Sequence, residues 1–226
     1  MGDRGLGMVK KTVQGSLVAF VVTSLCAAAG AVEVPKPSFD AKKFSQEPTA
    51  CDLLAAHPDD PDRVAPGRER AEIAKDYAGA IAACESAVAR DPENPRLRYQ
   101  LARVLGYSGQ GKLAMPHREK AIAGRYPQAL FVNGFLYLTG QNENPKDLCK
   151  AGELMRESAI EGRLAGLLGF PRYAMQGTFA GCTVKQDRAE LLAFLDAARQ
   201  QVAGDFYRTM LVDLLREDLL ASKTMR

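Results

Sequence analysis

One short pattern, repeated at the spacing of a helix pair, constrains this chain more than any other feature. Glu119-Lys120-Ala121-Ile122-Ala123-Gly124-Arg125 returns as Glu157-Ser158-Ala159-Ile160-Glu161-Gly162-Arg163, a shift of 38 residues. A further 38 lands on Ala197, within Asp196-Ala197-Ala198-Arg199, and a step back of 34 gives Ala87 in Glu85-Ser86-Ala87-Val88-Ala89-Arg90. Four related helix ends at this period mark one supersecondary unit used repeatedly. A single helix pair leaves an apolar face in water, and stacking neighbouring pairs covers it.

The punctuation between these ends agrees. Asp91-Pro92-Glu93-Asn94-Pro95 is a helix stop and restart, Ser108-Gly109-Gln110-Gly111 a turn between paired helices, and Asn142-Glu143-Asn144-Pro145-Lys146-Asp147 another. No segment sustains strand alternation. Apolar residues make up 46% of the chain but aromatics only 7%, a mixture that suits helices crossing closely at small side chains. The expected fold is therefore all-α: a right-handed α-α superhelix of about four helix pairs with a C-terminal capping helix. That last helix is read from Phe206, Met210, Leu211, Leu214, Leu215 and Leu219, whose spacing gives an amphipathic face that covers the end of the stack.

Ala80, Cys84, Ala87 and Pro92 have the spacing of small, bulky, small and proline residues that closes a tetratricopeptide repeat. Ala129, Gly134, Tyr137 and Gly140 resemble the first helix of a Sel-one-like repeat, preceded by a second-helix ending at Lys120, Ala121, Ile122 and Gly124. Leu101, Ala102 and Leu105 fill similar places one repeat earlier, and Leu168, Gly169, Tyr173 and Gly177 one repeat later. The resemblance spans roughly residues 70–204. Two positions depart from it: Asn133 stands where a Leu is usual, and Pro171 interrupts the first helix of the last repeat.

The start of the chain reads as an address. A basic segment ending in Lys10 and Lys11 precedes an uncharged stretch, Thr12 to Val32, and Ala29-Gly30-Ala31 has the small-x-small pattern of a signal-peptidase site. Residues 1–31 are expected to be a signal peptide, or an uncleaved anchor, since 21 uncharged residues suffice to span a bilayer. Residues 32–48 read as a flexible arm and 49–226 as the helical-repeat domain. Without the leader, 27 basic side chains face 26 acidic ones, so no global charge favours nucleic acid or an anionic membrane.

Four cysteines follow the leader: Cys51, Cys84, Cys149 and Cys182. An even number in an exported chain implies disulfides, with three connectivities open. Both sequential pairs lie 33 residues apart, close to one helix-pair repeat, so bridges Cys51–Cys84 and Cys149–Cys182 are expected. No close Cys-x-x-Cys pair suggests zinc.

Several motifs invite a chemical reading. Ala56-His57-Pro58-Asp59-Asp60 is similar to the short zinc motif of sugar N-deacetylases, but it lacks the preceding parallel strand, and His117 is the only other histidine. It reads better as a capped turn that ends one helix and starts another. Asp59, Asp60 and Asp62 lack the glycine and late glutamate of a calcium loop and are expected as solvated carboxylates. Gly106 to Gly111 has neither the nucleophile-elbow nor the phosphate-loop spacing. Catalytic residues, a metal and a cofactor are therefore not expected.

The tetratricopeptide resemblance implies a binding groove along the first helices. There Arg96, Tyr99, Arg103 and Tyr107 recur every three or four residues, with Gln128, Phe131 and Phe135 as counterparts in the next repeat. Arginine would pair with a carboxylate and tyrosine supply rigid contact to an extended peptide; the competing reading is a solvated arginine face over packed aromatics. The expectation is an exported, non-enzymatic scaffold for a protein or peptide partner in the periplasm or cell envelope. It would meet the membrane only if the leader is retained. Two alternatives stay open. One is a hydrolase acting on a cell-wall or β-lactam substrate, implied by cysteine-rich Sel-one-like relatives whose cysteines are more closely spaced than these. The other is a membrane-anchored assembly factor.

Overall fold

A computed structural model describes residues 1–2 and 35–222; residues 3–31 of the expected leader and its cleavage site lie outside the described residues. The chain divides into two units, 1–31 and 32–226, and the second carries the architecture. Among the described residues ten α-helices follow one another: α1 (Ala50–Ala55), α2 (Arg70–Ile73), α3 (Tyr77–Arg90), α4 (Pro95–Tyr107), α5 (Gly111–Ala123), α6 (Pro127–Thr139), α7 (Leu148–Ile160), α8 (Leu164–Met175), α9 (Arg188–Gln201) and α10 (Phe206–Ala221). No strand occurs among the described residues.

The polar breaks in the sequence act as caps. Asp76, Asp147, Asp187 and Asp205 each accept a hydrogen bond from a backbone N–H in the first turn that follows. Asn94 does the same for α4, with Pro95 at the first helical position, where its missing N–H costs nothing.

Helices α4 and α5, α6 and α7, and α8 and α9 form three consecutive pairs, each packed on the next. Helix α3 completes a fourth pair with the six-residue α1, and α10 closes the array against α9 and α8. This is the helical-repeat solenoid that the periodicity predicts. Ala87, Ala121 and Ala159 are all buried. In the last repeat the buried place falls to Ala198, one residue beyond the expected Ala197, which is only partly covered.

Glycine sets the closest crossings. A Cβ on Gly134 of α6 would lie 2.9 Å from the Met155 side chain of α7, and one on Gly166 of α8 would lie 2.6 Å from the Ala159 backbone nitrogen. Both distances are shorter than packed carbon atoms tolerate, so hydrogen at these positions is what lets α7 nest between its neighbours.

Cys51–Cys84 and Cys149–Cys182 are bonded as the 33-residue spacing predicts. The first joins α1 to α3; the second joins α7 to the loop after α8, not to a neighbouring helix. Pro171 does not interrupt α8, which runs through it and forgoes only the bond that a proline nitrogen cannot make to the Leu167 carbonyl.

The capping helix departs most from expectation. Val212 and Leu219 are its buried apolar residues, with Leu215 partly covered, while Phe206 (74%), Tyr207 (76%), Met210, Leu211 and Leu214 stand exposed. An apolar periodicity reports a face, and here only part of that face turns inward.

Candidate functional site

The face formed by α4, α6 and α8 is where a partner was expected, and the structure fills the α4 part of it with the chain's own N-terminal segment. Arg96 donates from Nε to Asp52 Oδ1 at 2.8 Å and from Nη1 to the Ser45 carbonyl at 2.8 Å. Gln100, one turn on, donates to the same Asp52 oxygen at 2.9 Å. Asp52 also caps α1, accepting from the Thr49 backbone N–H and hydroxyl, so one buried carboxylate serves two elements. Arg103 donates to three carbonyls of the segment, those of Ala55, Ala56 and Arg68, at 2.8 to 2.9 Å. Arg96, Tyr99 and Arg103 are thus brought together on one helix face and buried there.

The turn after α1 crosses to α6. Tyr126 Oη donates to Asp60 Oδ2 at 2.6 Å, and the Asp62 backbone N–H donates to Asp60 Oδ1 at 3.1 Å. Asp60 is fully buried, contrary to its expected place as a solvated loop carboxylate. Burial pushes its carboxyl up to about 6, the bonds from Tyr126 and Asp62 offsetting only part of the rise. His57 sits in the same turn, where its Nδ1 accepts from the Asp59 N–H at 3.0 Å. Burial, and then the Arg103 charge, push its imidazole down to about 4. His57 and Asp60 do form a turn, with the Asp60 N–H donating to the His57 carbonyl, but no helix starts there; the next is α2 at Arg70. Among the described residues no cluster of three or more His, Cys, Asp or Glu side chains could hold a metal ion.

The segment before α1 is tied as well. Ser38 and Phe39 donate their backbone N–H groups to Glu161 at 2.9 Å, where Arg125 Nε also donates at 2.6 Å. Burial alone would raise the Glu161 carboxyl, but these donors outweigh it and hold it below the usual carboxylate range. The Phe39 ring meets Tyr126 edge-on at 5.5 Å. Residues 38–45, expected as part of a loose arm, are therefore anchored at both ends.

The other groove residues divide. Gln128 bridges two repeats, donating to Tyr99 Oη and accepting from Arg163 Nε. Phe131 packs between α6 and α8, its ring edge 2.9 Å from where a Gly169 Cβ would stand. The guanidiniums of Arg70 and Arg103 each lie over the Tyr107 ring, at 5.2 and 5.1 Å, and Phe135 is exposed. A cavity of about 270 Å³ lies among Tyr99, Arg103, Tyr107 and Phe135. A longer groove, about 680 Å³, runs from Pro58 and Arg63 past Arg163, Leu164 and Leu168 to Arg208 and Leu211 on α10.

The Tetratricopeptide repeat family model matches residues 72–115, that is α3, α4 and the start of α5. Residues 72–115 form a tetratricopeptide-type repeat. No curated protein and no solved structure matches the chain. Tetratricopeptide repeats serve in general as surfaces for other proteins, and the α4 of this repeat is the helix whose exposed face the N-terminal segment covers. The two disulfides fit an extracellular or periplasmic location. No helix among the described residues is long and apolar enough to cross a membrane.

Sequence reasoning missed Asp52, Asp60, Gln100 and Glu161, the residues that seat the segment. Their long-range partners lie between 36 and 123 positions away, and no local spacing signals such contacts.

Proposed function

We propose that this chain is an exported Sel-one-like tetratricopeptide scaffold of the cell envelope, released from its leader near Val32, which holds a protein partner along its C-terminal repeats. The observation that carries this reading is the division of the first-helix face. Around α4 it is filled by residues 38–68, while beyond α6 it stays open as the groove lined by Leu164, Leu168 and Leu211. That groove adjoins the exposed Phe206, Tyr207, Met210 and Leu214 of α10, an apolar patch at the end of a solenoid where a polar cap is the rule. Arg163 and Arg208 at its border suit a partner with acidic side chains beside its apolar anchors. Tyr107 and Phe135 extend the contact surface on the α4–α6 side.

The experiment is site-specific photocrosslinking in the producing cell. A crosslinker at position 211 is expected to capture a discrete protein that one at position 86, on α3, does not. Capture is expected to vanish in a Leu214→Asp chain of unchanged melting temperature. Equal capture from both positions would refute the assignment. Mass determination of the recovered chain tests export, which predicts the loss of residues 1–31; a chain that retains them would place it as an anchored factor instead.

A further inference from the structure

The smaller cavity has a lining that protein–protein contact does not explain. Its buried wall holds Arg103, Arg118 and Asn133, its mouth Arg70, Phe135 and Gln141, and no carboxylate lines it. Among the described residues neither Arg103, Arg118 nor Arg70 makes an ion pair with an acidic side chain; Glu143 acts on Arg118 only through space. Arg103 spends its guanidinium on three backbone carbonyls and Tyr107. Arg118 makes one bond, from Nη1 to the Asn142 carbonyl at 3.0 Å, which leaves its Nε and Nη2 hydrogens unspent. Buried cations are ordinarily paired. Here three guanidiniums, those of Arg103 and Arg118 buried and that of Arg70 exposed, gather around one space with no carboxylate in its lining.

Two further details show a site that is built. The side chain of Asn133, 2% exposed, donates to the Ala129 carbonyl, but its Oδ1 has no partner. A buried acceptor without a partner, on a residue of the cavity wall, is a polar group that the fold leaves unsatisfied and that a turn of the amide would present to a ligand donor. Gly106 also lines the cavity, and a Cβ there would stand 3.1 Å from Arg118 Nη2, so the glycine keeps the space that the guanidinium needs. His57 adds a donor without a charge: with Nδ1 accepting from Asp59, its proton sits on Nε2.

We propose that this cavity binds a small organic carboxylate that also carries an N–H or O–H donor. The guanidiniums of Arg118 and Arg70 take the carboxylate, the Asn133 amide turns toward the space so that Oδ1 accepts from the donor, and Tyr99, Tyr107, Val132 and Leu136 enclose the carbon skeleton. The volume, about 270 Å³, is slightly below the range of sites for drug-sized molecules, which fits a compact acid and not a peptide segment. A carboxylate matches the two-pronged arginine donor with a single charge. The inference does not rest on the scaffold reading; a chain with no protein partner would still have this site.

The test is calorimetric titration of the full chain with L-lactate, L-malate and N-acetyl-L-alanine. Lactamide and N-acetyl-L-alaninamide serve as uncharged counterparts, and propionate as a carboxylate without the donor. At least one of the three acids is expected to bind with a millimolar or tighter Kd, its amide at least about tenfold more weakly. Arg70→Gln, at the exposed mouth, is expected to weaken the acid severalfold with no change in melting temperature. Asn133→Leu is expected to erase the preference for lactate over propionate. The proposal is overturned if none of the acids binds at about 10 mM, if the amides bind equally well, or if Arg70→Gln leaves the affinity unchanged. Tighter binding of inorganic phosphate would overturn it too, as would binding of a short peptide through its terminal carboxylate where the free acids fail.

Discussion

Replacing Asp52 by alanine isolates the contact on which the position of the N-terminal segment depends. The carboxylate is fully buried and accepts from Arg96, Gln100 and Thr49. Its removal leaves the Arg96 guanidinium, 4% exposed, with only the Ser45 carbonyl and no counter-charge. Breaking a buried ion pair from one side costs about 3–5 kcal/mol, because the remaining charge has lost its solvent and its partner. Loss of the α1 capping box adds about 1 kcal/mol. Urea denaturation of the oxidised chain at pH 7 should therefore show a loss of about 4–6 kcal/mol. The double variant Asp52→Leu/Arg96→Met should recover much of this, since apolar groups of similar volume need no pairing. The exposed Arg199–Asp213 pair serves as control: its geometry is as short, at 2.6 Å, yet both groups keep their water, and Asp213→Ala should leave the transition where it was. A loss below about 1 kcal/mol for Asp52→Ala, or a double variant no better than the single, would refute the claim that this pair is dry and holds the segment in place.

Further consequences follow from the turn at 57–62 and from the helix crossings. Between about pH 4 and 6 the folded chain keeps a proton on Asp60 that the unfolded chain releases, so Asp60 makes stability grow as pH falls. His57 acts oppositely in nearly the same window: the unfolded chain protonates it below its ordinary 6.5 while the folded chain resists down to about 4, so stability falls with pH. Thermal melts from pH 7 to 4 should thus slope downward for Asp60→Asn and upward for His57→Gln, relative to wild type; parallel profiles would contradict both assignments. Gly166→Ala should cost about 1–3 kcal/mol by urea denaturation, because the new methyl meets α7 backbone at 2.6 Å. Gly169→Ala should cost less, since it meets only the edge of the Phe131 ring, which can turn away; equal costs would mean that α7 and α8 separate freely.

The fold was legible because its determinants are local or periodic. Small residues recur once per helix pair, caps stand at each break, and a 33-residue cysteine spacing fits one repeat. The errors have physical causes. Ala198 replaces Ala197 in the core because the 12-residue connection from α8 to α9 is not bound to the period of the shorter turns. Helix α10 has an apolar stripe wider than the surface it meets, so the pattern could not say which residues stay outside. The site was legible only in part. Arg96, Tyr99 and Arg103 share a face because helical spacing requires it. What covers that face is a polar, proline-containing stretch whose anchors, Asp52 and Asp60, look like ordinary loop carboxylates until tertiary contact places them beside Arg96 and Tyr126.

Amide hydrogen exchange over residues 38–68 measures directly whether this segment is seated on the repeats. Backbone N–H groups of Phe39, Leu53, Ala56, Asp60 and Arg68 all donate within the protein. Their peptides should exchange well below the rate of an unstructured chain. In Asp52→Ala that protection should fall while α7 to α9 keep theirs. Exchange at the unstructured rate in the wild-type chain would leave the first-helix face open and contradict the account.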